Sequence, residues 1–301
     1  GGRRFTTALY CVARKNAKST LAAAILLAVY CLENESGPQI LTAATTGDQA
    51  RIVWAVAKRM VERTPALAEV FSLEAFANTI ANFERGGSFR AINAKASTQD
   101  GLNPSALCFD ELHAHKNHDL VNVLQSAAGA RANPLFLYCT TEGYINAGPW
   151  EETRNFAQHV LGGVVAADHW LALIYAVDDD DDDFNPDAWV KANPLLPGNP
   201  TLRRAIERHA VDARAMAGAL AEFRVKRLNR RAAAAAAWVN MYRWRKCGGP
   251  IDLAALEGAP CWGAFDLAAT TDMTAFALVW KVARTYYARV RYWVPLSAVT
   301  A

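Results

Sequence analysis

The stretch that decides the fold is Arg4-Phe5-Thr6-Thr7-Ala8-Leu9-Tyr10-Cys11-Val12-Ala13, which empties into Arg14-Lys15-Asn16-Ala17-Lys18-Ser19-Thr20 and then into the Ala- and Leu-rich run Leu21 to Leu32. The first part reads as a buried strand and the last as a helix. A strand, a short basic turn, Lys-Ser/Thr and a helix are the parts of a triphosphate cradle. Backbone N–H groups and the positive end of the helix meet the phosphates. The lysine reaches the β/γ oxygens, and the next hydroxyl holds Mg²⁺. Set against G-x-x-x-x-G-K-[ST], Lys18 and Ser19 fit, while the two glycine positions fall on Val12 and Ala17. By itself the loop is also compatible with a basic turn capped by a helix, with Lys15 and Lys18 solvated.

A nucleotide site needs carboxylates next. The short apolar run Ala106 to Phe109 ends in Asp110-Glu111. Hydrolysis requires held phosphates, an anchored Mg²⁺, an activated water and stabilised charge. Lys18 with Ser19 or Thr20 suits the first two tasks. Asp110, at a strand end, suits the Mg²⁺ shell, and Glu111 suits the general base. Arg14 or Lys15 can neutralise charge developing on the γ-phosphate. A further apolar run, Pro134 to Cys139, ends in Thr140-Thr141, either of which can sense that phosphate by hydrogen bonding. An ordinary strand-to-loop carboxylate pair would also look like Asp110-Glu111. The combination with Lys18-Ser19 on an alternating strand–helix background is what favours ATP and Mg²⁺ as the cofactors.

Around these motifs the chain alternates. Gln39 to Thr45 reads as a strand, Asp48 to Arg63 as an amphipathic helix closed by Thr64-Pro65, and residues 78–94 as a hairpin around Gly86-Gly87. Asp119 to Ala128 reads as a helix. Such alternation predicts an α/β fold with a mainly parallel sheet, whose ligands bind beyond the carboxyl ends of the strands. From 149 to 250 helices dominate: Trp150 to Leu161, Pro200 to Met216 and Ala219 to Arg230, with one strand at His169 to Val177. The acid run Asp178 to Asp183 reads as a solvated loop, and Ala232 to Ala237 as a connector or surface helix. After 251 come three strands near 262–267, 274–282 and 286–294. The expected division is therefore 1–148, 149–250 and 251–301. Trp238, Trp244 and Trp262 read as packing residues.

The 301 residues, 52% of them hydrophobic, suffice for about two domains. A net charge of +3 argues only faintly for an anionic partner. Six cysteines without C-x-x-C or zinc spacing fit reduced, buried thiols in a cytoplasmic protein. No signal peptide or apolar run of about eighteen residues suggests a membrane. Asp266 ends the 262–267 strand, and with Asp272 it flanks a hairpin where two carboxylates can bind a divalent metal. Without further context Asp266 is a turn or cap residue.

In colinear order these motifs resemble the large terminase subunit of tailed bacteriophages. Val12 to Thr20 is similar to that family's deviant Walker A loop, usually Arg-Lys-Asn-Gly-Lys, and Thr42 to Ala50 to its second strand and helix entry. Leu107-Cys108-Phe109-Asp110-Glu111-Leu112-His113-Ala114-His115 resembles the Walker B segment, and Thr140-Thr141-Glu142-Gly143 the coupling motif. Gly263 to Asp272 resembles the first strand of an RNase H-like nuclease. The resemblance implies an ASCE-type P-loop ATPase, a helical linker and the start of a nuclease domain. It implies Arg14, Lys15, Asn16, Ala17, Lys18, Ser19, Thr20, Thr140 and Thr141 as nucleotide contacts, with Glu111, Arg14 and Asp266 catalytic. Ser19 and Asp110 would hold Mg²⁺ in the ATPase, and Asp266 and Asp272 in the nuclease. The implied partners are double-stranded DNA, a portal protein, a small terminase subunit and sister subunits in a ring, in the host cytoplasm with no membrane contact. Ala17 departs from the family's glycine. The family's adenine-contacting glutamine and its later nuclease acids are absent, so the chain is expected to be cut from something longer at both ends. Another P-loop DNA motor and a non-catalytic binding module remain the alternatives.

Overall fold

The computed structural model describes residues 2–92, 101–144, 148–232, 241–267 and 273–294. The chain divides into two compact units, Gly1–Met241 and Tyr242–Ala301.

In the first unit β1 (Thr7–Cys11) leads through the basic loop into α1 (Lys18–Leu32). There follow β2 (Gln39–Ala43), α2 (Gly47–Glu62), α3 (Pro65–Val70), β3 (Leu73–Ala75), β4 (Ile80–Asn82), β5 (Gly87–Ile92) and β6 (Ala106–Asp110). The later elements are α4 (Asp119–Ala127), β7 (Leu135–Thr140), α5 (Pro149–Leu161), β8 (Trp170–Ile174), α6 (Trp189–Ala192), α7 (Pro200–Ala215) and α8 (Ala217–Arg227). Eight strands form one sheet in the order β3-β4-β5-β2-β6-β7-β1-β8. From β5 to β8 every pair is parallel, while β3 and β4 add an antiparallel edge.

The central strands read as continuous apolar runs because both sheet faces are covered. All five residues of β6 are buried. On one face Leu26, Tyr30, Val53 and Trp54 of α1 and α2 pack over Ile40 and Cys108. On the other, Leu120, Leu124 and Trp150 of α4 and α5 pack over Leu9, Leu107 and Phe109. The order puts one strand, β7, between β1 and β6. Lys18 after β1, Asp110 at the end of β6 and Thr140 at the end of β7 therefore share one sheet edge, the arrangement of an ASCE-type P-loop ATPase.

Three short elements of this unit, α3, β3 and α6, escape the sequence pattern. Thr64-Pro65 closes α2 as expected, but Pro65 also opens α3, the helix position a missing N–H suits best. α3 buries none of its residues and β3 has only three, too few for a period to show. The acid run is a turn as expected, though not a merely solvated one. Lys191 Nζ lies 2.6 Å from Asp178 and 2.7 Å from Asp181, and Arg230 Nη1 lies 2.6 Å from the buried Asp183. Most of the alanine run, and Trp238, lie outside the described residues. No helix among the described residues is long and apolar enough to cross a membrane.

The second unit holds α9 (Met241–Lys246), which begins at the boundary, and an antiparallel sheet β11-β10-β9 of β9 (Cys261–Asp266), β10 (Thr274–Val282) and β11 (Thr285–Trp293). Here the expected packing role of two tryptophans is corrected. Trp244 is 56% exposed and Trp262 is 59% exposed. Trp262 stands on an edge strand whose six residues are all exposed.

Candidate active site

The loop between β1 and α1 reverses the chain sharply enough that Lys15 (φ 73°) and Ala17 (φ 55°) both adopt the left-handed region. Glycine takes this conformation freely, whereas a Cβ makes it cost about 1 kcal/mol or more. The loop is held from outside instead. Val12 N donates to Thr140 O at 3.2 Å, Ala13 N to Ala192 O at 3.3 Å and Arg14 N to Lys226 O at 3.1 Å. The Asn16 side chain is buried and donates to Ala13 O at 3.0 Å and to Asn193 Oδ1 at 2.9 Å, while its own oxygen accepts from Leu195 N at 3.2 Å. Asn16 thus acts on the loop's shape with both ends of its amide. Arg14, Lys15, Ala17 and Thr20 are exposed, and Ser19 is half-buried in the first turn of α1.

Lys18, the first residue of α1, is buried and extends to the carboxylate strand, where Nζ lies 3.2 Å from Glu111 Oε1. Asp110 is buried, and its Oδ1 accepts from Glu111 N at 3.1 Å. Burial, reinforced by the neighbouring Glu111 charge and opposed by Lys18, pushes its carboxyl up to about 6. Glu111 itself has φ 53°, a left-handed turn. Its second oxygen, Oε2, is buried and lies 3.2 Å from His113 Nδ1, but no protein group among the described residues makes a hydrogen bond to it.

His113 links this acid to the end of β7. Its backbone N donates to Thr140 Oγ1 at 3.1 Å, and Nδ1 lies 3.0 Å from Thr140 Oγ1 and 3.4 Å from Thr141 Oγ1. Burial pushes the ring down to about 4, so it is neutral near pH 7. The Thr140 hydroxyl also donates to Thr141 O at 2.8 Å and is fully buried. Thr140 is therefore a brace between His113 and the strand end.

The structure brings Lys18, Glu111, Asp110, Thr140 and Thr141 to one edge and puts Arg14 and Lys15 on the exposed rim of the loop. Asp266, exposed at the end of β9, belongs to the other unit. Asp272 lies outside the described residues. His113 lay within the segment likened to Walker B, but without a role of its own. Two further polar residues carried no motif in the sequence: Asn193, and Asn229, buried with φ 51°. It accepts from Glu142 N at 2.6 Å and donates to Tyr175 O at 2.7 Å and Cys11 Sγ at 3.2 Å, tying together the ends of β7, β8 and β1. The buried Glu142 carboxylate accepts from Trp150 Nε1 at 3.2 Å and Arg154 Nε at 2.9 Å, both on α5. Burial is the largest influence on Glu142 and raises its pKa despite Arg154. An asparagine able to take the left-handed conformation is the one local signal Asn229 offered.

The model of the terminase large subunit ATPase domain matches residues 1–159, and that of the terminase large subunit endonuclease domain matches residues 164–300. The chain belongs to the terminase large subunit family. It is 34% identical over 215 residues to Protein YmfN of Escherichia coli, covering 69% of this chain and 47% of that protein. It is 27% identical over 276 residues to the terminase large subunit of Enterobacteria phage HK97, covering 90% of this chain and 53% of that protein. The chain spans about half the length of these curated relatives. The crystal structure of the HK97 large terminase superposes with a TM-score of 0.67 at 24% identity, over 98% of this chain and 61% of that one. A large terminase from a thermophilic bacteriophage, in complex with ADP, superposes with a TM-score of 0.50 at 12% identity, over 96% of this chain and 63% of that one. The endonuclease match begins before β8, yet β8 pairs with β1 along its length and so belongs to the first unit's sheet.

Two outcomes follow from the site's energetics. Asp110 binds its proton more tightly folded, at about 6, than its ordinary 3.8. Its ionisation therefore costs stability that is absent below about pH 4 and fully felt above about pH 6. Asp110→Asn is expected to raise stability by on the order of 2 kcal/mol at about pH 8, a gain that fades toward pH 4. Urea unfolding at the two pH values measures it. Ala17→Gly relieves the left-handed alanine and is expected to stabilise by about 1 kcal/mol. Thermal unfolding checks this, with Ala22→Gly inside α1 expected to destabilise by at least as much.

Proposed function

We propose that the first unit hydrolyses ATP with Mg²⁺ to drive double-stranded DNA into a viral procapsid. The observation that carries this is the 3.2 Å contact between Lys18 of the loop and Glu111 beyond β6, beside the buried Asp110. A lysine at a helix N-terminus meets a phosphate-seeking loop and a strand-end carboxylate pair in one place, as nucleotide hydrolysis requires. The ADP complex of the thermophilic bacteriophage's terminase supports a nucleotide at this kind of fold.

The residues divide the work by position. Lys18 holds the β/γ phosphate oxygens, with the loop N–H groups around it. Ser19 and Asp110 fit a Mg²⁺ ion, since a desolvated carboxylate held up at about 6 is relieved by a cation beside it. When bound, that ion neutralises charge on the phosphates. As Lys18 turns to a phosphate it releases Glu111 Oε1. Glu111 keeps its place through its left-handed backbone and through His113, and Oε2 is the oxygen left to accept a proton from water. His113, neutral and braced by Thr140, keeps that oxygen aimed without competing for the proton. Arg14, on the exposed rim, is the loop cation available to the γ-phosphate. Thr140 and Thr141 pass a change at Glu111 to Glu142, whose partners Trp150 and Arg154 lie on α5.

In the second unit, Asp266 is the carboxylate proposed to serve a Mg²⁺-dependent RNase H-like nuclease, together with Asp272. The whole assembly is proposed to work as a ring of like subunits on a portal protein, with a small terminase subunit, in the host cytoplasm. The division 1–148, 149–250 and 251–301 stands as the proposed functional partition.

Glu111→Gln keeps the shape and removes the base. It is expected to lower DNA-stimulated ATP hydrolysis at least about 100-fold while nucleotide binding persists. Equal rates in the two proteins would remove Glu111 as the base.

A further inference from the structure

The segment that holds the β1–α1 loop from outside ends in a guanidinium that has no carboxylate within ion-pair distance among the described residues. Three contacts fix its position. Arg14 N donates to Lys226 O at 3.1 Å, Asn193 Nδ2 donates to Arg227 O at 2.7 Å, and Asn193 Oδ1 accepts from Asn16 of the loop at 2.9 Å. Arg227, the last residue of α8, therefore has its backbone tied to the loop through one intervening amide. Its side chain is half-buried, and no carboxylate among the described residues lies within ion-pair distance of it. Arg227 Nε lies 3.1 Å from His209 Nδ1, while Nη1 is buried and makes no hydrogen bond to any described group. The Arg14 charge acts on it as well, and together with burial it disfavours the charged form.

A buried, unpaired N–H of a charged group is costly, and a like charge nearby adds to that cost. An arginine stays charged regardless. Such a group beside a phosphate loop is relieved by one kind of ligand, an anion whose oxygens accept the free N–H. Arg fits phosphate better than any other side chain because its planar fork matches the oxygens.

We propose that Arg227 is a phosphate-binding residue of the nucleotide site, reaching the anionic end of the nucleotide from the helical segment while Lys18 reaches it from the loop. This rests on reading the loop at Lys18 as a nucleotide site. It makes the segment from Trp189 to Arg227 part of the cradle: the amide pair Asn16–Asn193 sets the loop, and Arg227 meets what the loop holds. It also supplies within this chain a cation that the exposed Arg14 and Lys15 do not replace, because Arg227 is already partly desolvated.

The test titrates the full chain with a non-hydrolysable ATP analogue and Mg²⁺. Arg227→Gln is expected to weaken binding about tenfold or more, and Arg227→Lys by clearly less, with the thermal unfolding temperature of neither lowered. Arg227→Gln binding like the wild type overturns the proposal. Loss of binding in Lys18→Ala together with wild-type binding in Arg227→Gln sinks Arg227 alone. Wild-type chain that binds no analogue sinks the nucleotide reading beneath it. A second measurement does not depend on how the variants fold. Phenylglyoxal modification of Arg227 in the wild-type chain, mapped by peptide mass spectrometry, is expected to be suppressed by the analogue and not by adenosine. Equal modification with and without the analogue overturns the proposal.

Discussion

The loop between β1 and α1 takes the left-handed conformation at two residues that are not glycine, and hydrogen bonds from distant segments of the first unit converge on it. Lys15 and Ala17 sit in a backbone region that disfavours a side chain. The strain persists because the surroundings over-determine the loop. Thr140 O, Ala192 O and Lys226 O each take one of its N–H groups, and Asn193 pairs with Asn16. These partners come from β7 and from the segments around α6 and α8. The loop therefore reports the position of three elements that lie far from it in sequence, and they in turn feel what happens to it.

The site's charges show the same trade between function and stability. Asp110 is a carboxylate in a place that resists ionisation, and Glu111 holds one oxygen on Lys18 and the other without a donor. An interior built only for stability would pair these groups or replace them. Retaining them leaves a locus that a cation and an anion can each relieve. His113 shows the opposite choice: burial keeps it neutral, and it stands as a contact between Glu111 and Thr140. Beyond Thr140 the chain runs at once into Glu142, whose carboxylate is bound by α5. The end of β7 is thereby tied by hydrogen bonds to a helix on the sheet's face.

The second unit follows a different logic. Its three-stranded sheet is mostly exposed, and large apolar and aromatic side chains such as Trp262, Phe265 and Trp293 stand on it with little cover. Periodicity found the strands correctly, because strand pairing is local between β9, β10 and β11. The packing role read for Trp244, on α9, and Trp262, on β9, was wrong, because burial depends on what faces an element, and an element's own sequence holds no record of that.

Much of the rest was legible. Apolar runs ending in Lys18-Ser19, Asp110-Glu111 and Thr140-Thr141 located the strands of a parallel sheet, and helical spacing located α1, α2, α4, α5 and α7, each within a few residues. Those features are written in hydrophobic pattern and in short motifs, which act between neighbours along the chain. What the sequence could not show was strand order, and with it that β7 lies between β1 and β6. Nor could it show that Asn16 would turn inward to Asn193, that Asn229 would bind three strand ends, or that His113 would stand between Glu111 and Thr140. Those contacts reach residues far along the chain through side-chain hydrogen bonds, and no local propensity encodes a bond whose partner arrives only when the chain folds. The sequence by itself determined most of the elements and which polar side chains follow the apolar strands. The tertiary structure alone decided which of them meet, because the sheet's strand order sets the distances between their ends.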